Sequence, residues 1–389
     1  MRVALVFDRL IWGGIERVGI TYANMLIANG FDVDVVVLEK NPEDIINELD
    51  PKCNIIVKPF NVKYCYENFW PWMIENDKYG LETIAFSLKY CFLNILKPIF
   101  KFKYKLKENY DISIAFSGHI KDLTFIADDY IESKSKVAWI HGAQYSYNMI
   151  SPGFFRLYKR IKNLISISEM SDIDCKYWNE KFNITKTNIY NPCSIDVFNY
   201  DNVVVNSLKN KYGDFCLMVG RVDKDKDQEL LIDAFYIMKH KYRMDKNLLI
   251  VGDGPNLSNL KNKVNKLNLN NNVHFIGTRN DVENFYKAAK IYTHAAPLEG
   301  FGMVYIEAMK FGLPVITTDA IPGAREIFEN GKYGIITPNG NPNKMADGII
   351  KLYNNEEIYK NYSQKSKLRS DFFDYNKIEK QFIDYLNSL

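Results

Sequence analysis

Short apolar runs alternate with amphipathic stretches along the whole of this 389-residue chain. In the first half, residues 3–7, 33–38, 112–116, 137–140 and 164–168 read as strands; in the second, 215–219, 248–251, 273–276, 291–294 and 315–317 do. These runs are apolar at nearly every position, which suits strands covered on both faces, hence parallel sheets flanked by helices. The pattern predicts two doubly wound, Rossmann-like α/β domains, 1–195 and 205–372, joined through a polar segment that opens with Asn191-Pro192. A last amphipathic helix over 375–389 is expected to cross back onto the first domain. Two such domains facing each other would put the carboxyl ends of both sheets on a central cleft, where ligands of open α/β sheets bind.

Composition narrows this little. The net charge of +3 argues against bulk nucleic-acid binding and leaves local patches as the question. Six scattered cysteines without a C-x-x-C pair fit a reducing cytoplasm. The opening MRVALVFDRL is broken by Asp8 and Arg9 and reads as a first strand, not a signal peptide. No uncharged apolar run reaches the length needed to cross a bilayer.

Candidate chemistry concentrates where strands end. Glu299-Gly300-Phe301-Gly302-Met303-Val304 follows the strand at 291–294, and Glu307 lies eight residues beyond Glu299. The glycines allow a tight turn with bare backbone, and a helix opening there points N–H groups at an anion. One carboxylate can then meet a sugar at the mouth while the other reaches a hydroxyl deeper in, which suits a nucleotide-sugar. Arg221 and Lys226 follow the strand at 215–219 and could grip a diphosphate, an arginine as a planar fork and a lysine as a point charge. Read plainly, they are a solvated charge run. Asp223, Asp225 and Asp227 mimic the start of a calcium loop, but Gln228 stands where that loop needs glycine and no glutamate closes it.

Weaker signals surround these. Trp12-Gly13-Gly14-Ile15-Glu16-Arg17 is either a plain strand-to-helix turn or a ligand approach; it is not a dinucleotide fingerprint. Gly252, Gly254 and Pro255 make a turn whatever the function, and Gly277 and Arg279 end a strand where backbone could border a base. Of five histidines, His141 at the end of a buried strand is best placed for chemistry, able to switch charge near neutrality or to hydrogen-bond when neutral. His119 is a second candidate, and His294 reads as packed core. No histidine pair has metal-ligand spacing and G-x-S-x-G is absent, so neither a zinc site nor a serine hydrolase is indicated. Six lysines and no acid fall between Lys89 and Lys107 among aromatic and aliphatic residues, and 154–162 has the same character. Such stretches suit an anionic membrane surface, or else core-facing helices with lysines in water.

Together these residues resemble the retaining glycosyltransferases of family 4, which have the GT-B fold. The resemblance rests on the E-x7-E pair Glu299 and Glu307 with its ordered company: GGIER at 13–17, VGR followed by Lys226, VGDGP at 251–255, FIG at 275–277 and GLPVI at 312–316. It covers most of the chain and is strongest from Val219 to Pro338. It implies metal-independent transfer of a hexose from a nucleotide diphosphate, with anomeric configuration kept and no cofactor beyond the co-substrate. Carried over, Glu299 would hold the donor sugar and steady positive charge at its anomeric carbon, with His141 near the same sugar. Arg221, Lys226 and the amides of Gly300, Phe301, Gly302, Met303 and Val304 would hold the diphosphate. Glu307 would bind the ribose, Gly277 and Arg279 would border the base, and Gly13 and Gly14 would let donor phosphate and acceptor approach. Two departures stand out: Asp227-Gln228 where many relatives have glycine after the lysine, and Ile321-Pro322-Gly323-Ala324-Arg325-Glu326 where many have S-G-P-x-E.

The reading that follows is transfer from a UDP-sugar to a glycan or polyprenyl-lipid-linked acceptor in cell-surface polysaccharide or glycolipid synthesis, by a cytoplasmic protein peripheral to the inner face of the plasma membrane. A nucleotide-sugar epimerase or hydrolase on the same fold would isomerise the sugar or release UDP without acceptor. A catalytically silent partner would bind nucleotide without turnover.

Overall fold

The structure is a computed structural model that describes residues 1–11, 13–39, 44–61, 65, 67, 84, 87, 88, 91, 92, 95–142, 144–169 and 175–389. Trp12, Lys89, Tyr90 and Leu93 of the motifs above lie outside the described residues. The chain forms two compact units, Met1–Asn191 with Ile378–Leu389, and Pro192–Lys377.

In the first unit the strands are β1 (Arg2–Phe7), β2 (Asp32–Val37), β3 (Asn54–Val57), β4 (Asn109–Ala115), β5 (Glu132–Ile140), β6 (Asn163–Ser166) and β7 (Thr185–Asn188). They pair in parallel in the order β3-β2-β1-β4-β5-β6-β7. In β1 every residue after Arg2 is buried, as a strand with helices on both faces requires. The edge strands β3 and β7 are only half covered; their sequences, NIIV and TKTN, carry no sustained apolar run, which is why pattern reading passed over them. The helix Tyr375–Asn387 buries Ile378, Phe382 and Leu386, spaced four apart on one face. Phe382 packs 4.7 Å from Tyr22 and 5.7 Å from Trp139, within the first unit.

In the second unit the strands are β8 (Phe215–Val219), β9 (Asn247–Val251), β10 (Val273–Gly277), β11 (Ile291–His294), β12 (Leu298–Glu299), β13 (Val315–Thr318), β14 (Ile321–Pro322) and β15 (Ile335–Thr337). Six form a parallel sheet in the order β10-β9-β8-β11-β13-β15, and the two-residue strands β12 and β14 pair with each other. Both sheets reverse winding direction beside their first strand, so the strand ends there open a crevice within each unit.

Of the two readings of 154–162, the structure shows the core-facing helix. In the helix Pro152–Ile161, Phe154, Leu157, Tyr158 and Ile161 are buried in the core. Its cations are occupied: Lys159 Nζ sits 3.9 Å over the Phe182 ring, and Arg160 pairs with Asp128 and Glu67. A 3.6-residue period sends that side inward.

Candidate active site

Glu299 closes β12, and β12 exists because Leu298 and Glu299 pair with Ile321 and Pro322 of β14. A Cβ on Gly323 would lie 2.7 Å from the Phe301 carbonyl oxygen and 2.8 Å from that of Glu299. The divergent Ile321–Glu326 segment, β14 running into the helix Gly323–Phe328, is thus the wall against which the glutamate's backbone rests, and Gly323 is needed for close approach. Beyond Glu299 the chain turns through Gly302, at φ +84°, into the helix Met303–Lys310, whose first N–H groups receive no side-chain cap. Phe301 is buried and meets Phe373 edge-on at 5.5 Å, which anchors the turn.

The Glu299 carboxylate is faced by a lysine and a histidine. Lys226 Nζ donates to its Oε2 at 2.8 Å, and His294 Nε2, at the end of β11, lies 3.6 Å from the same oxygen. Burial alone would push the Glu299 carboxyl up; His294 and Lys226 outweigh it and hold the group down at about 2. At 2.8 Å the lysine is the closer partner, and 3.6 Å is beyond a hydrogen bond. Asp225 Oδ2 links the network outward, 3.8 Å from Lys226 Nζ and 3.1 Å from Arg221 Nη2. Arg221, 61% exposed, also meets Asp223 Oδ2 at 3.1 Å. The structure therefore brings Arg221, Lys226 and Glu299 into one chain of contacts, with every cation facing a carboxylate.

The lysine's position depends on Asp227, which is left-handed at φ +43°, ψ +45°. That conformation is easy for glycine and tolerated by aspartate, which accounts for the departure at this position. The Asp227 side chain also accepts from Leu230 N at the start of the helix Gln228–Lys241.

Glu307 lies in the second turn of its helix, and the buried Tyr286 hydroxyl donates to its Oε2 at 2.7 Å. Tyr286 stacks on Phe311, ring centroids 5.6 Å apart. Gly277, at φ +79°, ends β10, while Arg279 is held by Asp281 through two 2.8 Å hydrogen bonds. A surface cavity of about 360 Å³ involving Lys261, Asn270, His274 and Phe275 shares none of the proposed site residues.

In the first unit, His141 follows β5. Its Nε2 lies 2.6 Å from the Phe116 carbonyl oxygen; a carbonyl only accepts, so Nε2 carries the hydrogen and Nδ1 is the acceptor of the neutral ring. Burial lowers its pKa to about 4, which the Phe116 contact only partly opposes. Of the two behaviours open to His141, desolvation favours the neutral, hydrogen-bonding ring. Gly13 caps the helix Gly14–Ala28, but a Cβ there would lie 2.3 Å from the buried Glu16 carboxylate, so its space is taken by the protein. At Gly14 nothing comes within 4 Å of an added Cβ. His119 Nδ1 pairs with Asp8 at 3.3 Å.

Sequence reading placed His294 in the core and passed over Tyr286, which lies beside Phe285 in the helix Val282–Ala288. The one signal was a polar ring at the carboxyl end of a strand that leads into the Glu299 loop.

The chain is similar to known glycosyltransferases. Residues 201–369 match the family model described as "Glycosyl transferases group 1". The chain is 29% identical over 373 residues to an uncharacterized glycosyltransferase of Haemophilus influenzae, covering 94% of each chain. It is 33% identical over 180 residues, 46% of this chain and 47% of the relative, to an N-acetylgalactosamine-N,N'-diacetylbacillosaminyl-diphospho-undecaprenol 4-alpha-N-acetylgalactosaminyltransferase of Campylobacter jejuni. Among solved structures, Anabaena Alr3699/HepE in complex with UDP superposes with a TM-score of 0.74 at 20% identity, each chain covered completely. The two parallel-sheet α/β units are those of the GT-B fold, and the stretch similar to the group 1 model lies in the second.

Proposed function

We propose that this chain is a retaining, metal-independent glycosyltransferase that moves a sugar from a UDP-sugar to a glycan or lipid-linked acceptor. The observation that carries the proposal is the 2.8 Å contact between Lys226 and Glu299 beside the glycine turn and an uncapped helix start. Unliganded, cation and carboxylate neutralise each other. An arriving diphosphate draws Lys226 and Arg221 to its oxygens, joined by amides of the turn from Gly300 to Val304, and Glu299 is released toward the sugar. As the bond from the anomeric carbon to the phosphate oxygen breaks, positive charge grows on the sugar beside Glu299 and negative charge on the diphosphate beside the cations. Both gain more in the transition state than in the ground state. The acceptor oxygen bonds to the anomeric carbon on the same face, its proton passes to the departing phosphate, and UDP leaves. Glu307, steadied by Tyr286, holds the ribose, Gly277 and Arg279 border the base, and neutral His141 offers Nδ1 to a substrate hydroxyl. UDP as the nucleotude is supported by the UDP complex of the Anabaena structure, and a lipid-linked acceptor by the name of the Campylobacter relative. The test is a panel of UDP-sugars with polyprenyl-lipid and glycan extracts: UDP release that needs acceptor supports transfer, and no release with any donor overturns it.

For membrane contact the proposal rests on 95–107 alone. Ile95, Ile99 and Phe102, the last 93% exposed, lie three and four residues apart, while Phe100 and Tyr104 of the helix Lys97–Tyr104 pack against the core. Lys97, Lys101 and Lys105 pair with Asp128, Asp129 and Glu132, so the apolar stripe carries more of the attraction than the charge does. No helix among the described residues is long and apolar enough to cross a membrane. Flotation with anionic liposomes tests the stripe: Ile99→Ser with Phe102→Ser should abolish binding, and unchanged binding would remove this face from the account.

A further inference from the structure

We propose that His294 is a positioning residue for Glu299, holding the carboxylate from inside the second unit when Lys226 turns to the ligand. The inference rests on the reading that a diphosphate recruits Lys226. His294 is 1% exposed, and its Nε2 is buried with no hydrogen-bond partner. An orphaned ring nitrogen in a core is costly unless something engages it. Among the described residues, the acceptor that faces it is Glu299 Oε2, at 3.6 Å, whose present donor is Lys226. A carboxylate oxygen only accepts, so Nε2 carries the hydrogen in this contact.

The ring cannot easily turn away. It lies edge-on to Tyr305 at 5.1 Å and roughly parallel to Tyr292 at 6.3 Å. The Tyr305 hydroxyl is engaged with Thr317 Oγ1 at 3.1 Å. The Tyr292 hydroxyl donates to the Val219 carbonyl at 3.2 Å and sits 3.5 Å from His294 Nδ1. The imidazole is thus fixed by rings whose own polar atoms are occupied, with one nitrogen directed at the carboxylate. A closure of a few tenths of an ångström turns the contact into a hydrogen bond. Without it, loss of Lys226 to a diphosphate would leave a largely buried carboxylate uncompensated just when it must stay ionised and face the sugar.

The groups facing Glu299 are Lys226, before the helix Gln228–Lys241, with Asp225 behind it; His294 and Tyr292 on β11; and Tyr305 on the helix Met303–Lys310. Titration of the Glu299 carboxyl can therefore isolate the histidine once Lys226 is removed. With ¹³C-carboxyl glutamate, and Glu299→Gln to assign the signal, we expect Glu299 to titrate at least about one pH unit higher in Lys226→Met/His294→Leu than in Lys226→Met, a tenfold change in proton affinity. Equal midpoints would overturn the proposal. In a second arm, His294→Leu should lower UDP-sugar turnover roughly 30-fold while the UDP dissociation constant stays within about threefold; His294→Gln, which keeps a donor near the Nε2 position, should recover most of the turnover. Full activity in the leucine variant, or no recovery by glutamine in a protein that melts like the parent, would reduce His294 to packing. Failure of the parent to release UDP would instead sink the transferase reading, and the carboxyl titration would still decide the role of His294.

Discussion

Glu299 and Glu307 sit eight residues apart, yet their surroundings differ in kind. Glu299 is held by Lys226 and faced by His294, so its carboxyl stays down at about 2 despite burial. Glu307 receives the neutral hydroxyl of Tyr286 at 2.7 Å. A cation that can leave suits a carboxylate that must exchange partners during a reaction. A neutral phenol locked in the core suits one that binds the same hydroxyls before and after it. Under the proposed function, the contrast would separate a site that reorganises on ligand binding from one that is preformed.

The sharpest break would come at Glu299. Glu299→Ala should lower UDP-sugar turnover about 1,000-fold. The same change frees Lys226, so UDP measured by calorimetry should bind as well as to the parent or better; weaker binding would mean the lysine does not exchange partners. Lys226→Met comes next, with turnover lower by about 100-fold and UDP affinity by about tenfold. It also carries a pH signature. The folded pKa of Glu299 lies below that of an unfolded glutamate, so its stabilising contribution is present above about pH 4.3 and is lost as pH falls through 2. Removing Lys226 raises the folded value and shrinks that contribution, so the melting temperature of the variant should fall less than the parent's between pH 7 and pH 4. A larger fall would contradict the pairing.

Tyr286→Phe should act more mildly. Losing one hydrogen bond of about 1 kcal/mol predicts roughly fivefold weaker UDP binding and less than a twofold change in turnover at saturating donor. A large fall in turnover with unchanged UDP binding would put Glu307 in the reaction rather than in binding. Asp227→Gly should be the smallest change. Relief of the left-handed backbone and loss of the cap to Leu230 oppose each other, so stability should move by less than about 1 kcal/mol with UDP affinity unchanged. A large loss would show that the aspartate does more than adopt that conformation.

Much of the architecture was legible beforehand because it is written in local periodicity. β8 and β11 match their apolar runs residue for residue, whereas the half-covered edges β3, β7 and β15 left no such mark. Gly302 likewise announced a left-handed turn opening a helix, and Arg221, Lys226 and Glu299 stood out as charged groups at strand ends. His294 and Tyr286 did not, because a ring inside an apolar element looks the same whether it only packs or also serves a carboxylate. The basic aromatic stretch 154–162 stayed open between two readings for the same reason, since composition does not say which side of a helix faces the core.

The amino-acid order by itself determined the two wound sheets, the turns that open their helices and the identity of the charged groups, since each follows from spacing over a few residues. Only the tertiary structure decided who faces whom. Lys226 meets Glu299 across 73 positions of sequence. Tyr286 reaches Glu307 because two helices flank one strand, and the Ile321–Glu326 segment braces Glu299 through β12 and β14. Such pairings depend on how whole layers pack, and no local pattern carries that information.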